Sequence, residues 1–183
     1  MEIQTKRLIL REFERRDVAP LLGYQNDPRY LHYDPWSEQS EEVVEKLVQL
    51  FIDQQTQRPR FKFQFVITLK STSEVIGNCG VRKKTADAVH GDIGYELDPK
   101  YWGYGYAQEA ARAMLSFGFI QLKLDLISAW CIAENTRSVR VLTNLQMAEG
   151  IRLANQEFFK NRWWDKMTFN LSVDEWFAQT SQR

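Results

Sequence analysis

The sequence predicts a mixed α/β (α+β) fold, in which a mostly antiparallel sheet of about six or seven strands is flanked by about four helices. Two observations predict the elements: apolar and polar residues alternate over 61–69 and 91–97, whereas apolar residues follow helical spacing over 41–55 and 107–118. A third gives part of the topology. A strand, a helix and a strand follow one another over 91–132, which is typical of a parallel pair.

The first third of the chain is predicted to hold one strand and two helices. Residues 7–13 are expected to form the first strand, after which Asp17 can cap a helix whose first turn accommodates Pro20. Residues 26–37 are irregular and rich in aromatic side chains, so they indicate either the wall of a binding site or a loop folded onto the core. The helix over 41–55 follows.

The rest of the chain is predicted to consist mainly of strands. Residues 61–69 and 75–81 flank a polar turn and are expected to form a hairpin. Beyond the helix at 107–118, an apolar strand is predicted over 124–132, and Asn135 can cap the next helix. Three short strands are expected at the end of the chain, at residues 151–153, 157–160 and 167–173.

Composition indicates one globular domain over residues 1–183. Of 183 residues, 44% are hydrophobic and 26% charged, which suffices for one sizeable core. Lys plus Arg equals Asp plus Glu at 24 each, so no net charge attracts nucleic acid or an anionic membrane. The N-terminal residues lack the apolar core of a signal peptide and no apolar run has the length of a membrane span, so a cytoplasmic protein is expected.

No metal site is predicted. Cys79 and Cys131 lie in apolar stretches typical of strands, where buried, reduced thiols are expected. The two histidines, His32 and His90, do not form a zinc-binding pattern with them.

Residues 101–107, Tyr-Trp-Gly-Tyr-Gly-Tyr-Ala, form a glycine segment that joins the strand at 91–97 to the helix at 107–118. Glycine permits a close approach of backbone to ligand, and the start of a helix offers unpaired N–H groups and the positive end of the helix dipole. The glycine segment therefore predicts a bound phosphate or pyrophosphate.

Two common nucleotide motifs do not fit the glycine segment. A dinucleotide fingerprint needs a third small residue three positions after Gly105, where the chain has Gln108. A Walker loop needs Lys followed by Ser or Thr after the last glycine, where the chain has Tyr106 and Ala107. The phosphate is therefore expected to belong to another ligand.

The run from Gly94 to Ala111 resembles the acetyl-CoA motif of the GNAT N-acetyltransferases, above all the branch of bacterial ribosomal-protein N-terminal acetyltransferases. That motif starts with Arg or Gln, followed after two residues by Gly-x-Gly or Gly-x-Ala. Here Trp102 stands first, Gly105 supplies the glycine and Ala107 closes the motif. Three other segments resemble the branch's first strand, its Asn-x-x-Ser motif and its closing strands, at residues 5–11, 133–138 and 157–176.

The resemblance implies a GNAT fold, with acetyl-CoA as the acetyl donor and CoA as the product. The amides of the glycine segment are then expected to bind the pyrophosphate, and a backbone N–H near Leu97 to polarise the thioester carbonyl. The residues expected to bind the cofactor are Leu97, Trp102, Gly103, Tyr104, Gly105, Tyr106, Ala107 and Asn135.

The resemblance also implies direct transfer of the acetyl group to a primary amine in a ternary complex. Ser138 is expected to act as the acid toward the departing thiolate, and Glu157 as the base, either through water or after burial has raised its pKa. Other interpretations stay open: Ser138 as a residue of the helix cap, Glu157 as a solvated strand residue, and Asp92 or Glu96 as the base.

The acceptor is less well defined than the donor. A protein N-terminal amine and a small-molecule amine both fit, and Tyr33, Trp36, Asp92 and Glu96 are expected to contact it. Asp34 and Glu38 could attract a cationic acceptor, but their place in a surface loop favours their interpretation as solvated charges. No nucleic-acid or membrane partner is expected, and a homodimer is compatible with the sequence.

The alternative to an enzyme is a GNAT-like domain that binds acyl-CoA as a sensor or in an assembly. Such a domain would keep the glycine segment and lose the acid and the base, so the presence of Ser138 and Glu157 favours the enzyme. One departure from the family lies between these two residues. Gln146 and Met147 replace the Gly-Phe with which the family usually ends the helix after the serine. Gly150 is expected to form the turn instead, so the position of the expected base, Glu157, is defined to within about one residue.

Overall fold

The computed structural model describes residues 1–180. These residues form one eight-stranded sheet. Its spatial order is β1-β2-β3-β4-β5-β6-β8-β7, and within it β5 and β6 are parallel while the other neighbours are antiparallel. The predicted parallel pair is therefore confirmed. The strands are β1 (Glu2–Gln4), β2 (Leu8–Arg11), β3 (Lys62–Leu69), β4 (Val75–Lys83), β5 (His90–Leu97), β6 (Leu126–Ile132), β7 (Ala148–Phe159) and β8 (Arg162–Ser172).

The eight strands differ from the predicted set in two places. β1 is a three-residue edge strand without enough residues to show alternation. The strands predicted separately at 151–153 and 157–160 belong to one strand, β7. The prediction divided it because the pairing of β7 with β8 is irregular at 149–152 and 153–157, which interrupts the period-two pattern without ending the strand.

Six helices pack against the sheet, where about four were predicted. The short α2 was not predicted as a helix, although Asp27 caps it and Pro28 occupies its first turn. The last helix, α6, was also missed, so the interpretation of the chain up to Trp176 as closing strands is wrong. Trp176 is buried on α6, where its ring stacks on Phe119. The helices are α1 (Val18–Gln25), α2 (Pro28–Leu31), α3 (Glu41–Thr56), α4 (Tyr106–Ile120), α5 (Thr136–Asn144) and α6 (Val173–Thr180).

Asp17 does not cap α1 through its side chain, in contrast to the prediction. Its carboxylate is buried, pairs with Arg11 at 2.6 Å and accepts the backbone N–H of Glu14 at 2.7 Å. These bonds hold a 3-10 turn over Arg15–Asp17, from which α1 continues.

The sheet buries a core on each face. On the face that we call the α4 face, Ala110 and Ala111 of α4 are fully buried, and these small side chains let the helix lie close to the sheet. On the opposite face, which we call the α1 face, helices α1 and α3 cover a smaller core that includes Phe13, Tyr24 and Val44. Cys79 and Cys131 are both buried and free, in the core of the α4 face.

The end of α5 differs from the expectation that Gly150 would form the turn. Gln146 itself adopts the left-handed conformation, with φ of 60°, and its N–H donates to the Thr143 carbonyl at 2.8 Å. Met147 is buried in the core, at the place expected for the family's aromatic residue. Gly150 instead lies in β7, where a Cβ would stand 2.6 Å from Thr168 Oγ1.

Within residues 1–180, no helix combines the length and the apolar character that a membrane span requires. Nor does this part of the chain bring together three or more His, Cys, Asp or Glu side chains that could hold a metal ion.

Candidate active site

The site is built around a gap in the sheet, where β5 and β6 diverge. The two strands are in register only for His90 with Leu126, Gly91 with Ile127, and Asp92 with Ser128. Beyond these pairs, β5 continues to Leu97 and β6 to Ile132 without pairing with each other. We call the wedge-shaped gap between the two strands the cleft.

One edge of the cleft carries backbone groups that no strand uses. The Asp98 N–H donates to the Ile76 carbonyl at 2.8 Å, so it points toward β4. Because successive N–H groups of a strand point to opposite sides, the Leu97 N–H points toward the cleft, where β6 has separated. An extended ligand with amide groups can therefore pair with β5 as a strand would.

The glycine segment lies at the wide end of the cleft, where β5 leads through a 3-10 turn into α4. Gly103 and Gly105 have φ of +86° and +79°, a region that side chains with a Cβ rarely adopt. A Cβ on Gly103 would meet no atom within 4 Å, so the backbone is open on that side. Gly105 is the N-cap of α4 and leaves the first N–H groups of the helix free for an anion.

A brace from the first strand region holds the glycine segment in place. Arg7 donates from Nη1 to the Tyr104 carbonyl at 2.9 Å and from Nε to Glu109 Oε2 at 2.7 Å. Thr5 and the backbone N–H of Arg7 donate to the other oxygen, Oε1, of Glu109. Burial raises the pKa of Glu109, but the hydrogen bonds from Thr5 and Arg7 outweigh it and lower the pKa. Sequence reasoning missed this brace, although an acidic residue in the first turn of α4 was visible.

Trp102 links three parts of the site. Its indole Nε1 donates to the Leu97 carbonyl at 2.8 Å, which fixes the ring against the end of β5. The guanidinium carbon of Arg137, on α5, lies 4.7 Å from the centre of that ring. The residue that departs from the family motif is therefore a platform between β5 and α5.

Asn135 and Ser138 lie at the start of α5, next to the cleft. Asn135 Oδ1 accepts the Ser138 N–H at 3.2 Å, so Asn135 is the N-cap as predicted. The Ser138 hydroxyl is not needed for the cap and faces the Tyr95 hydroxyl, which also donates to the Ser138 carbonyl at 3.2 Å. Burial raises the pKa of Tyr95 well above its ordinary value, so its hydroxyl stays protonated.

A cavity of about 190 Å³ occupies the cleft and reaches both faces of the sheet. Ile93 and Ala129 belong to the core of the α4 face, whereas Trp130 alternates with Ala129 and contacts Lys166 on the α1 face. The cavity is therefore lined from both faces of the sheet, and we call it the passage. Its lining residues are Arg82, Ile93, Gly94, Tyr95, Ala129, Trp130, Ser138 and Leu142.

On the α1 face, Glu96 has a dense set of hydrogen-bond donors. Its Oε1 accepts from Tyr24 at 2.6 Å, from Gln25 at 2.8 Å and from the amide of Asn78, and its Oε2 accepts from the Tyr30 hydroxyl. All four donors are uncharged. They hold the carboxylate in one orientation beside the end of β5 without neutralising it.

Asp34 is not a solvated charge, in contrast to its interpretation from the sequence. It is partly buried in the aromatic loop, and burial raises its pKa to about 6, with a further increase from the Glu96 carboxylate and an opposing effect of Lys160. The loop is held against the β7–β8 hairpin, since Lys160 donates to the Leu31 carbonyl and the Tyr33 ring packs against Trp164. The aromatic loop therefore forms a wall beside Glu96.

The other predicted acceptor residues have different surroundings. The Tyr33 hydroxyl donates to the Glu134 carbonyl at 2.9 Å, so Tyr33 ties the wall to the end of β6. Trp36 is 55% exposed on the loop. Asp92 lies where β5 and β6 still pair, and Arg82 Nη2 stands 2.6 Å from its Oδ1, so it is engaged outside the wide end of the cleft.

Glu157 lies on β7, opposite Trp164, and therefore on the α1 face. Its Oε1 is 3.8 Å from Lys166 Nζ, which in turn lies 3.8 Å from the centre of the Trp130 ring. Glu157 thus reaches the passage only through Lys166 and Trp130. The two predicted catalytic residues, Ser138 and Glu157, lie on opposite faces of the sheet.

A larger cavity, of about 720 Å³, lies elsewhere on the α1 face and includes Arg11, Asp17 and Glu74 in its lining. It shares no lining residue with the passage. We take the passage as the candidate active site because β5, β6 and Ser138 line it and the glycine segment follows the end of β5.

The diverging parallel strands and the glycine segment that starts α4 agree with the acetyl-CoA site of an acyltransferase that the sequence resemblance implies. The model of the acetyltransferase (GNAT) domain matches residues 7–148, and the chain therefore belongs to the GNAT family. It is an N-acetyltransferase that uses acetyl-CoA, as the resemblance implied. The family assignment from the sequence is confirmed.

The comparisons with individual proteins agree. The chain is 32% identical to the uncharacterized N-acetyltransferase p20 of Bacillus licheniformis over 95% of this chain and 97% of that protein. It superposes with a TM-score of 0.83 on a GNAT-family acetyltransferase from Bacillus anthracis, at 29% identity over 96% of this chain and 100% of the other.

Two further structures share the fold at lower identity. They are the ribosomal-protein-S5-alanine acetyltransferase of Vibrio fischeri and the spermidine N-acetyltransferase of Vibrio cholerae, the latter in complex with CoA and spermine. The first has a TM-score of 0.79 at 21% identity, over 96% of this chain and 98% of that one. The second has a TM-score of 0.80 at 19% identity, over 94% and 99%.

Proposed function

We propose that this protein transfers the acetyl group of acetyl-CoA directly to a primary amine, with the donor bound on the α4 face and the amine entering from the α1 face. Acetyl-CoA supplies an activated acetyl group, and the residues of this chain position it and move the protons. The observation that carries the proposal is the passage of about 190 Å³ between β5 and β6, whose lining residues come from both faces of the sheet.

The donor side would be bound mainly by backbone. The free N–H groups at the start of α4 suit phosphate oxygens, and the open side of Gly103 leaves space for them. The Leu97 N–H is oriented to donate to a carbonyl oxygen in the cleft and so to stabilise negative charge on it. Asn135 uses its Oδ1 in the helix cap, which leaves its amide NH₂ for the ligand.

We assign the acid to Ser138, with Tyr95 as its proton source. The Ser138 hydroxyl lines the passage, and the adjacent Tyr95 hydroxyl stays protonated because of its burial. A hydroxyl pair of this kind can deliver a proton to a departing thiolate and restore it from solvent. The N-cap role that competed with this assignment belongs to Asn135.

The base is one of two glutamates on the α1 face. Glu157 is partly exposed beside Lys166, where water can reach its carboxylate, and we therefore assign it the route through water. Glu96 lies on β5 itself and is oriented by four uncharged donors, which favours it as the carboxylate that attracts the ammonium group. We propose that Glu96 binds the ammonium form and that Glu157 accepts the proton through water.

The pair Glu96→Gln and Glu157→Gln separates these roles. Loss of the ammonium-binding carboxylate should raise KM for the amine, whereas loss of the base should lower kcat, by about 10²-fold or more if it acts as a general base. If Glu157→Gln leaves kcat unchanged while Glu96→Gln abolishes turnover, the base is Glu96.

For the acceptor, we propose a protein N-terminal amine or a small polyvalent amine. Structural relatives with this fold are named for both kinds of acceptor, a ribosomal protein and spermidine. The α1 face offers Glu96 and Asp34 to a cationic substrate. We place the reaction in the cytoplasm, a reducing compartment in which the free Cys79 and Cys131 would persist.

The experiment that tests the function is an acceptor screen with the purified protein. Acetyl-CoA is offered with peptides that have free N-termini, with polyamines and with amino-acid amides, and free thiol and acetylated product are both measured. Transfer in a ternary complex gives intersecting initial-velocity lines. Parallel lines would contradict direct transfer, and CoA binding without turnover across the panel would favour the sensor.

A further inference from the structure

The motif that binds acetyl-CoA starts, in this chain, with Trp102 in place of Arg or Gln. Trp102 has no positive charge and uses its single side-chain donor on the Leu97 carbonyl. Its side chain therefore offers neither charge nor a hydrogen bond to a phosphate. A positive charge nevertheless lies on this residue, because Arg137 stacks over the indole ring.

Arg137 is placed by the same local structure that places Ser138. Asn135 caps α5 and Arg137 is in the first turn of that helix, one residue before the serine. Its guanidinium carbon stands 4.7 Å from the centre of the Trp102 ring, which is within the range of a cation–π contact. Since Trp102 is fixed to Leu97, the guanidinium is held at the junction of β5, the glycine segment and α5.

The charge of Arg137 is not neutralised by an ion pair within residues 1–180. Among residues 1–180, no carboxylate forms an ion pair with Arg137, and the stacking on Trp102 satisfies none of its five N–H donors. The nearby Arg7 is in the opposite situation, because Glu109 neutralises it and the Tyr104 carbonyl accepts a further N–H. A guanidinium stacked by its face keeps its edge free to donate two parallel hydrogen bonds to a phosphate.

We propose that Arg137, held on the Trp102 ring, binds a phosphate of coenzyme A and supplies the cationic contact that Trp102 cannot. The glycine segment then binds phosphate oxygens with backbone N–H groups while Arg137 neutralises charge from α5. Trp102 acts as the positioning residue for this contact. The inference concerns binding of the donor and is independent of the acceptor and of the assignment of acid and base.

Binding to the purified protein is measured by calorimetry with CoA and with 3′-dephospho-CoA, and by NMR titration with pantetheine, which has no phosphate. Arg137→Gln should weaken CoA binding by about tenfold, the effect of one charge-assisted contact at a partly exposed site. Pantetheine binding should not change. If Arg137 contacts the 3′-phosphate, the variant and the wild type bind 3′-dephospho-CoA equally, whereas contact with the pyrophosphate keeps the difference between them.

The matched control is Arg16→Gln, which removes one exposed arginine charge on the α1 face. It should leave CoA affinity unchanged, and Arg137→Lys should retain part of the affinity because a charge remains. Circular dichroism verifies that each variant is folded. Wild-type CoA affinity in folded Arg137→Gln would overturn the proposal, as would an equal loss for pantetheine, since a merely structural role of the stacked pair would affect both ligands.

Discussion

Arg7 and Glu109 are 102 residues apart in the sequence, yet their side chains meet at 2.7 Å behind the glycine segment. The Glu109 carboxylate also accepts from Thr5 and from the Arg7 backbone, and Arg7 holds the Tyr104 carbonyl. The conformation of the glycine segment is therefore set partly by the N-terminal region of the chain.

Replacing Glu109 should loosen the glycine segment. In Glu109→Gln the three donors that meet the carboxylate face an amide, so we expect a loss of about 1–2 kcal/mol in unfolding free energy and weaker CoA binding. Because its folded pKa lies below the ordinary value of 4.5, the contribution of Glu109 is present at neutral pH and is lost as the pH falls through the folded pKa.

Chemical denaturation at pH 7 and at low pH measures the change in unfolding free energy, and calorimetry measures the change in CoA affinity. The matched control is Glu42→Gln, which removes an exposed glutamate from its i,i+4 pair with Lys46 and should change neither quantity by more than about 0.5 kcal/mol. Equal stability losses in the two variants would argue against the brace.

The two glycines of the segment should respond differently to the same substitution. Gly105→Ala and Gly103→Ala both force a Cβ into the left-handed region, which costs about 1–2 kcal/mol. At Gly105 the Cβ would also approach Arg7 Nη2 at 3.6 Å, and the bulkier Gly105→Val should displace this side chain. At Gly103 the added Cβ has open space within the protein. A loss of CoA affinity larger than the backbone strain explains would therefore indicate that CoA lies on that side of Gly103.

Ser138→Ala should lower kcat while CoA affinity stays close to that of the wild type, since the helix cap depends on Asn135. We expect a decrease of about 10²-fold if the serine is the acid. Tyr95→Phe should have a smaller effect on kcat, because it removes the proton source and leaves the serine. An unchanged rate in Ser138→Ala would return the residue to a structural role.

Asp34 gives a pH dependence with a defined sign. Its ordinary pKa of 3.8 is raised to about 6, so the folded state favours the protonated form, and this stability is lost as the pH rises from about 4 through about 6. Asp34→Asn should therefore be more stable than the wild type at pH 7, by about 1–2 kcal/mol, and similar to it below pH 4. Denaturation midpoints over this range provide the measurement.

Asp34→Asn should weaken the binding of a cationic substrate, although it is expected to stabilise the folded protein at pH 7. With Asp34 ionised at pH 7, the wild type attracts an ammonium group that Asp34→Asn does not, so KM for a cationic amine should rise in the variant. A KM that is insensitive to the substitution would show that the amine does not approach the loop.

Gln146→Gly should stabilise the protein by about 0.5–1 kcal/mol, because glycine adopts the left-handed conformation found at this C-cap without strain. The gain is reduced by the greater freedom of glycine in the unfolded chain. Thermal unfolding with Gln121→Gly as the comparison tests this, since Gln121 ends α4 in the right-handed region and its replacement should destabilise.

Patterns of local origin could be predicted from the sequence. The alternation over β3 to β5, the small residues of α4, the Asn135 cap and the glycine segment all depend on neighbours in the chain. The prediction divided the strand β7 in two because its bulges interrupt the alternation, and it missed α6 because eight residues are a short window in which to recognise a helical pattern.

The site residues that escaped prediction depend on contacts between distant segments. The partners of Glu96 come from α1, α2 and β4, and those of Glu109 from the region before β2. Asp34 was interpreted as a solvated charge because the burial of a residue in an irregular loop produces no periodic pattern in the sequence. Which side of the sheet each residue occupies, including the separation of Ser138 from Glu157, follows from the register of β5 to β8.

The passage between β5 and β6 also governs how the protein can be inhibited. If the donor and the amine meet in the passage as we propose, a bisubstrate compound, in which an amine is joined to the sulfur of CoA, has to place its linker in the cavity lined by Gly94, Ala129 and Ser138. Its CoA half would meet features shared across the family, whereas its amine half would meet the wall of Tyr33 and Asp34. Selective ligands for this protein should therefore be sought among variations of the amine half.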